Sequence, residues 1–115
     1  DYIVSRLNDY GLAYVHLIEP FTDVTGNKDA IQEIAKHFRK IYTGTIIINR
    51  AFTKETATQV INDGDADLVS FGVPFIANPD LVERYKTDAP LNAPDQNTFY
   101  TPGEKGYTDY AALTN

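Results

Sequence analysis

The sequence predicts an α/β fold in which three short strands run parallel and each is joined to the next by a helical crossover. Two apolar runs carry the prediction. Ile46-Ile47-Ile48 and Leu68-Val69-Ser70-Phe71 are rich in β-branched or aromatic side chains and are separated by a polar turn, a helix-like segment and Asp63-Gly64-Asp65. Each run ends at residues that free or expose the backbone, Asn49-Arg50-Ala51 after the first and Gly72 after the second. The spacing between successive strands exceeds the dozen or so residues that a parallel connection needs. Loops at the carboxyl ends of parallel strands are where α/β proteins bind ligands, so the stretch over 45–81 is expected to organise the chain.

The elements follow in order. Ile3, Leu7 and Tyr10 fall at i, i+4 and i+7, one face of a helix expected to begin upstream, and Gly11 stands where a left-handed stop belongs. Residues 13–18 are β-branched and aromatic, bounded by Gly11 and by Glu19-Pro20, and form the first strand. A turn-rich loop over 20–27 leads to Ala30, Ile31, Ile34, Ala35, Phe38 and Ile41 at amphipathic spacing, a helix with Asn27 as its expected N-cap. Thr43-Gly44 closes it and the strand over 46–48 follows. Thr53 is the expected cap of the next helix, whose apolar stripe is Ala57, Val60 and Ile61 and whose end is Asn62-Asp63-Gly64. Residues 66–71 are the third strand, completing βαβαβ with right-handed crossovers expected. Asn78-Pro79 reads as the start of a last helix that buries Leu81, Val82 and Tyr85. From Asp88 the composition turns to Pro90, Pro94, Pro102, Gly103 and Gly106 with Phe99, Tyr100, Tyr107 and Tyr110, an extended tail over 88–115 held by its aromatics. It is not read as a linker to a second domain, and no useful internal repeat is present.

With 43% hydrophobic and 23% charged residues the chain can form a core, which argues against disorder as a reading of the whole. A net charge of −6 and a pI of about 4.7, without a basic stripe, argue against nucleic acid and against an anionic membrane as partners. No apolar run approaches the roughly 20 residues of a membrane span, and no secretory leader is visible. Zero cysteines remove disulfides, zinc–thiolate sites and thiol nucleophiles together, and the cytoplasm is the expected compartment.

The block ADLVSFGVPFIANPDLVERY over 66–85, followed by APLN, TFY and GYTDY and preceded by YVHLIEP near the amino end, resembles the C-terminal part of the Old Yellow Enzyme family of FMN-dependent ene-reductases. The resemblance covers essentially the whole chain. It implies a single (β/α)8 TIM barrel with FMN on its carboxyl-end face. A closed barrel needs about 250 residues, or roughly 200 when compact, and 115 supply about three βα units. Residues 1–115 are therefore expected to be a C-terminal partial barrel, strands six to eight, with the tail over 88–115 packed on it.

The resemblance also implies a cradle for the FMN phosphate, because after strands seven and eight of such barrels backbone N–H groups converge with a helix N-terminus. Here the loops concerned contain Asn49, Arg50, Ala51 and Phe52, leading to Thr53, and Gly72 and Val73. Two departures are plain. The family commonly has consecutive glycines where Asn49-Arg50-Ala51 stands, so a positive φ at Ala51 must be avoided or strained. Its common Gly-Arg pair is Gly72-Val73 here, which leaves Arg50 to compensate for the missing cation. The plainer alternative is that both loops are only tight strand-to-helix turns and Arg50 a solvated charge. Phe99 and Tyr100 match family residues near the flavin and the substrate entrance, against the alternative that they merely anchor the tail. Tyr107 and Tyr110 read as anchors.

Other candidates are weaker. His16 lies in the first strand and His37 on the second helix, each without a second ligand at metal-binding spacing; for His16 a place inside the barrel or near its rim is the alternative to the favoured reading, a hydrogen-bonded core histidine. Glu19 and Asp23 near a strand end resemble an acid–base pair, but strand-end acids beside proline more often cap helices. Asp63, Asp65 and Asp67 lack EF-hand spacing and read as a turn facing away from the ligand. No nucleophile elbow, P-loop or dinucleotide fingerprint is present.

The resemblance implies an NAD(P)H-dependent FMN oxidoreductase that reduces activated alkenes such as enones and nitroalkenes. The family's His/Asn substrate clamp, its proton-donating tyrosine and the basic residue near the flavin pyrimidine all precede the matched region. No residue of 1–115 takes a catalytic role, and the chain by itself is expected to be inactive. The alternative is a structural or assembly fragment without flavin, which covers its open face by self-association or by pairing with a separate barrel half.

Overall fold

Three parallel strands lie side by side in chain order, β1 (Val15–Ile18), β2 (Ile46–Asn49) and β3 (Leu68–Ser70). They belong to a computed structural model that describes residues 1–20 and 26–113 and comprises two units, Asp1–Ser70 and Phe71–Asn115.

In the first unit the expected βαβαβ order is present, with helices α1 (Tyr2–Leu7), α2 (Ile34–Arg39) and α3 (Lys54–Asn62). Helix α1 tightens into a 3-10 turn over Asn8–Tyr10 and stops at Gly11, whose φ of 58° is the left-handed stop read from the sequence. Its packed residues are Val4 and Leu7, while Ile3 and Tyr10 are exposed, which corrects the expected face. Asn8 fixes this rotation by donating to the Ile41 carbonyl and accepting from the Thr43 N–H.

Helix α2 is shorter than expected. Asn27 closes a local turn by accepting the Asp29 N–H, and the helix begins only at Ile34. The cap comes from elsewhere in the chain. Both oxygens of the buried Glu19 carboxylate, just past β1, accept the N–H groups of Ile34 and Ala35 at 2.7 and 3.0 Å. Thr53 caps α3 as expected and forms a reciprocal capping box with Thr56.

The register places Val15 and Leu17 beside Ile46 and Ile48. This face of the sheet is the core, where Ile46, Ile48, Ala35, Tyr42 and Ala66 are buried and Val60 and Val69 pack around them. By the period-two alternation of strands, His16, Ile18, Ile47, Asn49, Leu68 and Ser70 share the opposite face. That face is open: Ile18 and Leu68 are 56% and 53% exposed.

The acidic cluster divides between two tasks. Asp63 is the C-cap of α3. Asp67 accepts the Ile46 N–H and an Arg39 guanidinium N–H, both at 2.8 Å, at the amino end of β2. The Ile46 N–H is the largest influence holding the Asp67 carboxyl below its ordinary 3.8; Arg39 acts in the same direction and desolvation opposes both. A depressed folded pKa means that Asp67 contributes fully above that ordinary value and loses its contribution as pH falls through the folded one. The stability gap between wild type and Asp67→Asn is therefore expected to narrow as pH drops below 3.8, as read from urea midpoints across an acid series.

In the second unit, α4 (Val73–Ala77) and α5 (Leu81–Thr87) are separated by Asn78-Pro79. The sequence reading missed α4, and Asn78 ends it rather than starting α5. The Asn78 side chain is 1% exposed; it donates to the Pro74 and Asn92 carbonyls and accepts the Asn92 N–H. Helix α5 buries Leu81 and Arg84, whereas Val82 is 68% exposed, another correction. Arg84 donates to Asp80 and to the Pro90 and Ala111 carbonyls. The tail is therefore fastened to α5 by a buried cation, while its tyrosines bond other residues of the tail. Tyr110 OH accepts the Asp95 N–H and Tyr107 OH donates to the Phe99 carbonyl. Gly106, at φ 80°, is buried where a Cβ would collide with Thr98. Among the described residues no helix is long and apolar enough to cross a membrane, and no group of three His, Cys, Asp or Glu side chains is placed to hold a metal ion.

Candidate functional site

The loop after β2 is a three-residue span, Arg50, Ala51 and Phe52, held at both ends. At its start Asn49 donates through Nδ2 to the Ser70 carbonyl at 2.9 Å and to Ser70 Oγ at 3.0 Å. At its end Thr53 is locked into the α3 capping box. In between, the Phe52 N–H donates to the Arg50 carbonyl at 2.8 Å and the Phe52 side chain packs on the core. Among the described residues, the backbone N–H groups of Arg50 and Ala51 donate to nothing, and the exposed Arg50 guanidinium has no carboxylate partner. Ala51 keeps a negative φ, since Asp88 is the only non-glycine with positive φ among the described residues. The strain anticipated for a missing glycine is avoided.

Two free donors and a cation on a short, doubly clamped turn suit an oxyanion, because fixed N–H groups need little reordering to meet one. The turn lies at the carboxyl end of β2, the position the sequence reading favoured. The Asn49 side chain shapes this turn, since both hydrogen bonds of its amide nitrogen go to Ser70.

Gly72 in the second unit precedes α4 with φ −95° and ψ −83°, and a Cβ there would meet nothing within 4 Å among the described residues. With nothing among them packed against this position, its backbone is open to close approach by another group. Val73 is 46% exposed at the first position of α4, and Tyr100 is 96% exposed while Phe99 is half-buried. A shallow depression nearby in the tail is lined by Asp95, Lys105 and Asp109. Its carboxylates are occupied by local turns, Asp95 with the Asn97 N–H and Asp109 with the Gly106 N–H.

The remaining candidates resolve differently. Glu19 has both oxygens committed to α2 and is a helix cap, the plainer of its two readings; Asp23 lies outside the described residues. His37 meets Asp1 at 2.6 Å on the surface. His16 is exposed instead of buried, because its strand position falls on the open face, and its Nε2 lies 2.9 Å from Ser70 Oγ. Ser70, which joins His16 to Asn49, was not singled out in the sequence. The signal for it lies in the strand register, which brings the ends of β2 and β3 level at Asn49 and Ser70.

Comparison with known proteins bears on this geometry. Residues 2–92 match the NADH:flavin oxidoreductase / NADH oxidase family. Among curated relatives, the chain is 45% identical over 114 residues to putative 12-oxophytodienoate reductase 5 of Oryza sativa subsp. japonica and 42% identical over 113 residues to 12-oxophytodienoate reductase 2 of Arabidopsis thaliana. In each case 97% of this chain is covered but only 30% of the relative. Among solved structures, morphinone reductase in complex with tetrahydroNAD superposes with a TM-score of 0.85 at 41% identity, over 99% of this chain and 30% of that one. The old yellow enzyme from Trypanosoma cruzi gives 0.86 at 37% identity, over 98% and 29%. The chain thus spans about a third of the length of the proteins it matches.

Proposed function

Because this chain belongs to the NADH:flavin oxidoreductase / NADH oxidase family, we propose that residues 1–115 are the C-terminal, FMN-phosphate-binding portion of an NAD(P)H-dependent, cytoplasmic flavin oxidoreductase that reduces activated alkenes. The observation that carries this reading is the turn after β2, clamped at Asn49 and Thr53, with the Arg50 and Ala51 N–H groups and the Arg50 side chain free among the described residues. In this reading β1, β2 and β3 are the sixth to eighth strands of a (β/α)8 barrel. The Arg50 and Ala51 N–H groups hold the phosphate, with charge-assisted hydrogen bonds from the Arg50 guanidinium, and Phe52 closes the turn around it through its bond to the Arg50 carbonyl. Gly72 and Val73 offer backbone that a ligand can approach closely, and Phe99 and Tyr100 flank the flavin or the substrate path. Bound FMN supplies the hydride chemistry between NAD(P)H and an enone or nitroalkene. This chain's own residues bind and orient, and none of them moves a proton or a hydride.

A second reading is favoured by the open sheet face, where Ile18 and Leu68 are more than half exposed. It is a flavin-free structural piece that covers this face by self-association or with a separate barrel half.

FMN titration followed by flavin fluorescence, with enone-dependent NADPH oxidation on the same samples, separates the two. The full-length protein carrying this chain is expected to quench FMN and to turn over, and the 115-residue stretch to show no turnover above a flavin-only blank. A full-length protein that neither quenches FMN nor oxidises NADPH sinks the flavin reading. A concentration-dependent dimer without flavin supports the second.

A further inference from the structure

The open face of the sheet carries one polar cluster in an otherwise apolar surface. His16 from β1, Asn49 from β2 and Ser70 from β3 meet at Ser70 Oγ, with His16 Nε2 at 2.9 Å and Asn49 Nδ2 at 3.0 Å. Their neighbours on this face are Ile18, Ile47 and Leu68. We propose that these three side chains form a positioning network for the phosphate-binding turn, with Ser70 as its hub. The proposal rests on the reading of that turn given above.

A serine oxygen has two lone pairs and one proton, so it can serve two partners and still hold a fixed orientation. Asn49 Nδ2 uses one lone pair of Oγ and also bonds the Ser70 carbonyl, which fixes the amide plane with two contacts to one residue. His16 Nε2 uses the other lone pair or accepts the hydroxyl proton, according to its tautomer. Either arrangement stops the Ser70 hydroxyl from rotating away from Asn49. Asn49 is the residue from which Arg50 departs. Its side chain thereby sets where the free N–H groups of Arg50 and Ala51 begin, as Thr53 sets where the turn ends. None of the three side chains needs to touch the ligand; they act through the backbone of residues 50–52.

The test compares two ligands that differ only in the phosphate. Affinities of FMN and riboflavin are measured by fluorescence quenching on the full-length protein carrying this chain, with thermal stability recorded alongside. Ser70→Ala is expected to weaken FMN about tenfold, the worth of one well-placed hydrogen bond in a site, and to change riboflavin by less than about twofold. Asn49→Ala should do the same, and the double variant no more than either alone, since both remove one shared node. His16→Phe is expected to lower the preference for FMN, and His16→Gln, whose amide reproduces an Nε2 donor, to restore it. A merely structural role would weaken both flavins together, and that result overturns the proposal, as does an unchanged FMN-to-riboflavin ratio in Ser70→Ala. If the unsubstituted protein binds both flavins equally, the phosphate assignment of the turn itself is wrong and this inference falls with it.

Discussion

Replacing Arg84 with alanine is expected to destabilise the 71–115 unit by about 3 kcal/mol, because a buried cation and several of its hydrogen bonds are lost at once. Arg84 is 4% exposed, and its guanidinium donates to the Asp80 carboxylate and to the Pro90 and Ala111 carbonyls. Truncation takes the donor from the Pro90 carbonyl, leaves the Ala111 carbonyl to Asn92 Nδ2 alone, and opens the space under the tail. Arg84→Lys is expected to recover only a minor part, since an ammonium on a flexible stem is a point donor that cannot match a planar fork serving three acceptors. The same change has a titration signature. Arg84 first, and then the Leu113 N–H, hold the Asp80 carboxyl below its ordinary value, so removing Arg84 should move that value upward. Urea denaturation read by amide exchange over residues 71–113, with an NMR titration of Asp80, checks both. Unchanged exchange in the tail would refute the clamp.

The strands were legible because Ile46-Ile47-Ile48 and Leu68-Val69 are short apolar, largely β-branched runs bounded by turn residues. Ile46 and Ile48 point inward, and the βαβ spacing admits only a crossover between neighbours. Helix beginnings were less legible wherever the cap comes from far along the chain. Asn27 is a good local capping residue, yet the partner of α2 is Glu19, fifteen residues before Ile34. Asn78-Pro79 has the local form of a helix start, but Asn92, fourteen residues on, recruits the Asn78 side chain. An arginine on an apparently amphipathic helix is assigned to solvent by periodicity alone, so Arg84 was hidden until the tail's carbonyls were seen around it.

The candidate site divides in the same way. Residue identities in the turn after β2, and the glycine before α4, stood out in the sequence because small or polar residues interrupt apolar runs. Their physical state did not. Whether Ala51 would be forced into a positive φ depends on the turn geometry, and the Phe52 N–H to Arg50 carbonyl bond resolves it without strain. The link from Asn49 to Ser70 depends on register between strands, which no local pattern encodes.

Glu19→Ala is expected to destabilise the first unit by about 2–3 kcal/mol, the cost of leaving two helix-terminal donors unpaired in a poorly hydrated setting. The carboxylate accepts from Ile34 and Ala35, and Ala35 is itself 1% exposed, so water is poorly placed to replace it. Glu19→Gln distinguishes a cap from a proton carrier. Glutamine keeps the shape but offers one acceptor oxygen, and its NH2 group faces a backbone N–H. A cap therefore predicts an intermediate loss for glutamine and a larger one for alanine, with faster amide exchange confined mainly to α2. A general acid or base predicts instead that stability holds in both variants while turnover of the full-length protein disappears. The geometry favours the first outcome, because the carboxylate is buried and each of its oxygens is turned to a backbone donor at the start of α2. Denaturation midpoints for the two variants, beside NADPH oxidation at fixed enone, decide between them.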